Sequence, residues 1–210
     1  MASVETRFIP AKTKSKMRKG EVAITAEMAE DLWWPRIRVL GIDPSISSTG
    51  WSVVDFFPRQ RPRLLGHGTI HTDPPGDGQK TNMKNIILRS RIIFDAMRGV
   101  VEAWPVDVVV IELPIPARGR GPGHMGPSSQ SGSMVACAVY SAMPYSDVDI
   151  DLADLNHIKL LVTTDGFADK QKVKAGVTEW LGTLPRTNTD VSDSIAGTIA
   201  HALEHLTEPI

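Results

Sequence analysis

The sequence predicts an α/β protein, a mixed five-stranded sheet flanked by helices, and two observations lead to this prediction. Three short segments rich in Val, Leu and Ile follow one another over residues 38–70 and are separated by turn residues, as in an antiparallel meander. From residue 82 onward, segments with helical spacing alternate with two short apolar segments. A meander followed by strand and helix alternation is typical of a mixed sheet with helices packed on it.

The three segments of the meander each have a strand pattern. The first ends at Asp43, the second covers residues 51–54, and the third covers residues 64–70. Gly50 is expected to close the connection between the first two strands. Asp43 should therefore lie at the centre of the sheet, where its strand ends.

The later elements extend this sheet and cover it. The uninterrupted apolar run at residues 108–112 is typical of a strand buried on both faces, and it ends in Glu112, a residue that is costly to bury without a partner. Residues 148–152 are predicted to form the fifth strand. The predicted helices cover residues 82–103, 132–143, 155–161, 170–181 and 190–206.

Composition indicates one soluble domain with an appendage. The chain has 210 residues, of which 41% are hydrophobic, and this is enough for one substantial core. We divide it into a basic extension at residues 1–37 and a folded domain at residues 38–210. No apolar stretch reaches the ~18 residues of a membrane span and no signal peptide is recognisable, so a cytoplasmic location without a membrane partner is expected. The single cysteine, Cys137, lies in an apolar run and is expected to be a core residue.

Charge is distributed in local patches. The formal net charge is −1, which argues against an indiscriminate nucleic-acid binder. Basic residues nevertheless cluster at residues 12–19, 118–120 and 170–174, and local patches suit a shaped nucleic acid better than a uniformly basic face does. The cluster at residues 12–19 either grips a DNA backbone or is a solvated tail.

Four acidic residues lie at positions where a carboxylate is unusual or where two carboxylates come close together. Asp43 and Glu112 end apolar strands, and Asp190 and Asp193 are spaced i, i+3 on one face of the last predicted helix. Each of these positions also has a purely structural explanation. Asp43 could cap a turn, Asp190 could be the N-cap of the helix, and the negative charge of Asp193 could stabilise the positive end of the helix dipole. Carboxylates that converged would repel one another unless divalent cations lay between them, and oxygen ligands suit Mg²⁺ or Mn²⁺.

These acidic segments lie in motifs that resemble the RuvC family of Holliday junction resolvases, which are ribonuclease H-like nucleases. The motifs are Gly41-Ile42-Asp43-Pro44 with Thr49-Gly50, Ile111-Glu112, Asp190-x-x-Asp193 with His201, and a basic stretch with Lys159 and Ala168-Asp169-Lys170. They follow the family's order between about Val39 and His205. The resemblance implies a ribonuclease H-like nuclease domain at residues 38–210 that acts on branched DNA. It also implies an Mg²⁺-dependent homodimer, with Mn²⁺ able to substitute, that resolves four-way junctions by paired symmetric nicks.

The resemblance also implies roles for individual side chains. The implied ligands of two Mg²⁺ ions are Asp43, Glu112, Asp190 and Asp193. One ion would activate water, and the other would stabilise the leaving oxygen. Lys170 would offset charge that builds on the phosphate, and Lys159 and Lys170 would face the DNA. His201 is expected to turn toward the acidic site, with His205 at the surface.

The segment at residues 114–132 departs from the family pattern because it is longer and richer in glycine. Its Arg118 and Arg120 could wrap phosphates, or the segment could be an insertion without that role. An aromatic residue of the family reaches the junction centre shortly after the glutamate, and the corresponding position here is near Ile115. Gln130, in the same segment, is a further candidate DNA contact.

Parts of these motifs also occur in proteins with other functions. The pattern H-x-x-E-H at His201–His205 resembles that of inverzincin proteases, but almost no chain follows it to supply a third ligand. The Gly-Ile-Asp hairpin also resembles the phosphate hairpin of actin-like ATPases, which need a second domain. A ribonuclease H-fold nuclease acting on flaps or other branches in replication or packaging would share every site residue. A junction-binding protein with a decayed site is disfavoured because all four carboxylates are present, and the unusual extension favours a viral origin.

Overall fold

The structure is a computed structural model that describes residues 36–73, 82–113, 127–143 and 148–206. It confirms the mixed five-stranded sheet, in which the strands lie in the order β3-β2-β1-β4-β5. The strands are β1 Ile37–Asp43, β2 Ser48–Phe56, β3 Arg63–His71, β4 Val108–Glu112 and β5 Asp149–Ala153. The meander β1-β2-β3 is antiparallel, and β4 and β5 continue the sheet parallel to β1. The first strand is therefore central, as the sequence predicts.

Five helices and one π-helical turn cover the described part of the sheet. They are α1 Met83–Ala103, α2 Pro127–Ser141, α3 Leu155–Thr163, α4 Lys170–Leu181, α5 Thr189–His201 and the π-helical turn Ala202–Leu206. Helices α1 and α2 pack on each other, whereas α5 lies across β1, β2 and β4 with α3 and α4 packed against it. None of the helices in the described ranges is long and apolar enough to cross a membrane.

Two apolar clusters account for these layers. One joins sheet residues such as Leu40 and Ile42 to Ile93 and Met97 of α1, and the other is centred on Ile195 and its neighbours along α5. Adjacent strand residues point to opposite faces, so β1 and β4 are covered on both sides. The uninterrupted apolar run before Glu112 reflects this burial, because Val109, Val110 and Ile111 are all at most 2% exposed.

Local signals explain where the helices begin. The side chains of Asn82, Asp154, Asp169 and Asn188 each accept a hydrogen bond from a backbone N–H in the first turn of the following helix. Helix α4 has the predicted bounds. Helix α2 begins five residues earlier than predicted, and the last predicted helix leaves α-helical geometry after His201.

Two predictions for single residues were wrong. Cys137 is exposed, because the buried face of α2 is set by Val135 and Val139, which are four residues apart, and Cys137 falls between them on the other side. Gly50 does not close the turn, since it lies within β2, opposite Asp43.

Candidate active site

Two of the predicted acidic residues end neighbouring parallel strands. Strands β1 and β4 pair in a register that sets Ile42 opposite Ile111. Asp43 and Glu112 are the next residues along each strand, so they lie side by side at one edge of the sheet. Each is only partly exposed.

The other two acidic residues come from the first turns of α5. Asn188 is the N-cap, because its side chain accepts a hydrogen bond of 3.0 Å from the backbone N–H of Val191. The alternative that Asp190 caps the helix is therefore wrong. The carboxylate of Asp190 accepts a hydrogen bond from Ser48 at the start of β2 instead, and Asp193 lies one turn further along the same face.

Glycines let α5 approach the sheet closely enough to bring these groups together. A Cβ atom on Gly50 would lie 2.3 Å from the backbone oxygen of Asp190, and one on Gly41 would lie 2.1 Å from the backbone oxygen of Ser194. Both distances are well below van der Waals contact, so a side chain at either position would push the helix away. The Gly50 of the hairpin motif is thus a contact surface for α5.

The four carboxylates interact electrostatically. Burial and the charges of Asp193 and Asp190 raise the pKa of Asp43 to about 7. Burial and the charges of Asp43 and Asp193 raise the pKa of Glu112 to about 8. Burial also raises the pKa of Asp193. The centre therefore resists full ionisation near neutral pH when no cation is bound.

Two lysines border this acidic centre. The ammonium of Lys170, at the start of α4, lies 3.7 Å from a carboxylate oxygen of Asp193, and its side chain is 63% exposed. The charge of Lys159, on α3, lowers the pKa of Glu112 and of Asp193 and so opposes the effect of burial. Lys170 thus reaches the centre directly, whereas Lys159 acts on it through its charge.

Sequence reasoning missed Phe167, which lies in the turn between these two lysines. Its side chain is 88% exposed, the largest value among the exposed apolar residues of the described chain. The turn is well built, because the Phe167 N–H donates to the Asp165 carboxylate and Lys172 forms an ion pair of 3.0 Å with the same carboxylate. This ion pair holds the pKa of Asp165 below its ordinary value. A lone aromatic in the turn between two lysine-bearing helices was the available signal.

Sequence reasoning also missed Arg89, which supports the turn after Asp43. Its guanidinium is 3% exposed and donates to the backbone oxygens of Ile46 and Thr72 and to the hydroxyls of Ser47 and Thr72, at 2.8–3.2 Å. An arginine within the apolar stripe of a predicted helix was the signal, since such a residue needs several acceptors.

The remaining predicted residues are placed as follows. Gln130 is exposed on α2, and Ile115, Arg118 and Arg120 lie outside the described residues, as does the 1–35 part of the basic extension. The expectation for His201 was wrong, because its ring nitrogen Nδ1 lies 2.7 Å from the carboxylate of Asp151 on β5.

The sheet order and the helix packed across its central strands define a ribonuclease H-like protein. The four carboxylates described above lie at the end of its sheet where β1 and β4 finish. The family model for crossover junction endodeoxyribonuclease RuvC matches residues 39–201. The chain therefore belongs to the RuvC family of crossover junction endodeoxyribonucleases.

Relatives and solved structures agree with this family. The RuvC of Wolbachia pipientis wMel is 26% identical over 79% of this chain and 94% of its own length. The RuvC of Gloeobacter violaceus is 27% identical over 81% of this chain and 90% of its own length. The structure of Thermus thermophilus RuvC in complex with a Holliday junction substrate matches with a TM-score of 0.64 and 20% identity, over 80% of this chain and 94% of that chain. The last match confirms the ribonuclease H-like fold. These relatives are bacterial, and the viral origin stays a prediction.

Proposed function

We propose that this chain is a divalent-metal-dependent endonuclease that resolves four-way DNA junctions by paired symmetric nicks. The observation that carries the proposal is the convergence of four carboxylates from β1, β4 and α5 beside the ammonium of Lys170. The names of the bacterial relatives support the reaction, and the junction complex of the Thermus thermophilus protein supports the substrate.

The donor set fits Mg²⁺, with Mn²⁺ as a substitute. The proposed ligands are Asp43, Glu112, Asp190 and Asp193, and oxygen ligands suit these cations. Burial and the neighbouring carboxylates raise the pKa values of Asp43 and Glu112 although the charges of nearby lysines lower them, so a bound cation would favour the ionised carboxylates. When bound, the cations would ionise a water molecule at neutral pH and neutralise charge on the phosphate oxygens.

The side chains around the acidic centre would orient the DNA. Lys170 would bind the phosphate to be cut and offset its developing negative charge, because its ammonium reaches the centre while its stem stays exposed. Lys159 would contact the adjacent backbone. Phe167 offers an exposed ring between them on which an unpaired base can stack. Further proposed DNA contacts, all in the 114–132 segment, are Ile115, Arg118, Arg120 and Gln130.

Symmetric nicks require two sites, and so we propose a two-fold homodimer. Helix α1 leaves large apolar side chains about half exposed, although its other face is buried in the core. These side chains are Met83, Ile87, Leu88 and Ile92. We assign this apolar surface of α1 to the contact with the second subunit, where it would be removed from water.

The decisive test is cleavage of labelled substrates by the full-length protein. The four-way junction should be cut with Mg²⁺ and left intact with EDTA, whereas flaps, linear duplex and RNA–DNA hybrid should be cut at least tenfold more slowly. Glu112→Gln should abolish cutting and keep junction affinity within a few-fold, because a lost ligand harms chemistry more than phosphate contacts. Preferential cutting of flaps would instead assign the chain to replication or packaging, and a fully active Glu112→Gln variant would refute the assigned centre.

A further inference from the structure

A second group of potential metal ligands lies where α5 ends. Nδ1 of His201 lies 2.7 Å from Oδ2 of Asp151 on β5, and Nε2 of His205 lies 3.7 Å from the same oxygen. The two imidazole rings are 4.7 Å apart between centroids. Among the residues that the structure describes, this is the one group in which three such ligand atoms lie within 4.8 Å of one another.

One side of this cluster is buried and the other is open to solvent. His201 is 7% exposed and fixes one side, Asp151 is 26% exposed, and His205 is 49% exposed on the solvent side. Nε2 of His205 is too far from Asp151, and at 3.9 Å also too far from Glu204, for a hydrogen bond to either carboxylate. A cation could therefore enter from solvent between groups that are already oriented.

Backbone geometry brings the two histidines together. His201 is the last residue of α5, and His205 lies in the π-helical turn that follows. Histidines four residues apart on one helix face can bind one metal ion, and π-helical turns occur frequently at functional sites. The fold supplies a third potential ligand to these two histidines, Asp151 from β5.

We propose that Asp151, His201 and His205 bind one transition-metal ion of the Zn²⁺ type, separately from the acidic centre. Two imidazole nitrogens and one carboxylate oxygen suit Zn²⁺ or Co²⁺, whereas the acidic centre offers only oxygens. Water would complete the coordination, because the Glu204 carboxylate oxygen that lies 3.9 Å from His205 already contacts His157 at 3.3 Å. The ion would tie the end of α5 to β5 and stabilise the folded state, because it binds that state alone.

The test uses full-length protein stripped with EDTA and dialysed into excess Mg²⁺, without DNA. Titration with Co²⁺ should give a visible d–d band that saturates at one equivalent and is displaced by Zn²⁺. His205→Ala and Asp151→Asn should each weaken Co²⁺ binding at least about tenfold, because the loss even of a group that only orients a ligand costs roughly 10–100-fold in metal affinity. His67→Ala, which removes a histidine of β3 outside the cluster, is the control and should bind like the wild type.

Thermal unfolding provides the second readout. Zn²⁺ should raise the melting temperature of the wild type and of His67→Ala, and should leave that of His205→Ala unchanged. His205 is half exposed, so its alanine variant is expected to fold, which circular dichroism will check. The proposal is wrong if the wild type gives no saturable band, or if His205→Ala binds Co²⁺ as tightly as the wild type does.

Discussion

Single residues of the acidic centre couple the stability of the protein to pH. The pKa of Asp43 is about 7 and that of Glu112 about 8, with burial as the largest cause. Between about pH 4 and pH 8 the folded chain therefore holds protons that the unfolded chain has lost. Unfolding releases these protons, so a rise in pH over this range favours the unfolded state.

We expect the free energy of unfolding, measured in EDTA by urea denaturation, to fall as the pH rises from about 4 to about 8. Asp43→Asn removes one buried charge, and so it should stabilise the metal-free protein at pH 8 by about 1–3 kcal/mol. Asp95→Asn, at an exposed position on α1, is the control and should not give this stabilisation. A profile of Asp43→Asn that matched the wild type would show that Asp43 ionises freely.

At the same scale, Phe167 tests the DNA-binding surface. If its ring stacks on a base, Phe167→Ala should weaken junction binding by roughly five- to a hundredfold, the range expected for one base–aromatic contact. Fluorescence anisotropy in Ca²⁺, which should support binding without cleavage, measures this affinity. Trp180→Ala, at the opposite end of α4, is the aromatic control. An equal loss of affinity in both variants would show that Phe167 makes no specific contact with the DNA.

At the scale of elements, periodicity was sufficient to predict the sequence of strands and helices. An apolar run and an i, i+3 pair are local patterns, so Glu112 and Asp190 with Asp193 were found before the fold was known. Contacts between distant segments leave no such pattern. The close approach of α5 to Gly50, the four acceptors of Arg89 and the pairing of His201 with Asp151 depend on tertiary packing, and for that reason they were missed or misassigned.

Gly50→Ala examines how α5 is positioned. The added methyl group would meet the backbone of Asp190 at 2.3 Å, so the first turn of α5 must shift. We expect a loss of about 1–3 kcal/mol in unfolding free energy. Single-turnover junction cleavage should also fall at least about tenfold, because displaced carboxylates would hold the reactants poorly.

Gly99→Ala provides the matched control for this substitution. A Cβ atom at Gly99, near the C-terminal end of α1, has no atom within 4 Å, and alanine favours a helix over glycine by roughly 1 kcal/mol. This variant should be slightly stabilised and fully active. Normal cleavage by Gly50→Ala would mean that the acidic centre tolerates movement of α5.

At the scale of the whole molecule, the helix layers differ in what they leave exposed. The layer that contains α3, α4 and α5 borders the acidic centre with lysines, whereas α1 presents half-exposed apolar side chains on the other layer. These exposed groups agree with the proposed DNA contact on one layer and with the proposed subunit contact on the other.

Ile87→Glu should therefore weaken the homodimer at least about tenfold, because it places a charge in a contact that excludes water. Sedimentation over a range of protein concentrations measures the dissociation constant. Ala175→Glu, which adds the same charge to the exposed face of α4, should have no effect. A wild-type protein that remains monomeric at micromolar concentration would contradict the proposed dimer.

The buried guanidinium of Arg89 connects α1 to the segments that follow β1 and β3. Arg89 projects from α1 and donates hydrogen bonds of 2.8–3.2 Å to Ile46 and Ser47, which follow β1, and to Thr72, which follows β3. A sliding of α1 by about 1 Å would break at least one of these bonds. Helix α1 and the turn that follows Asp43 are therefore expected to move together. A second subunit that binds to α1 would then also affect the position of the Asp43 carboxylate.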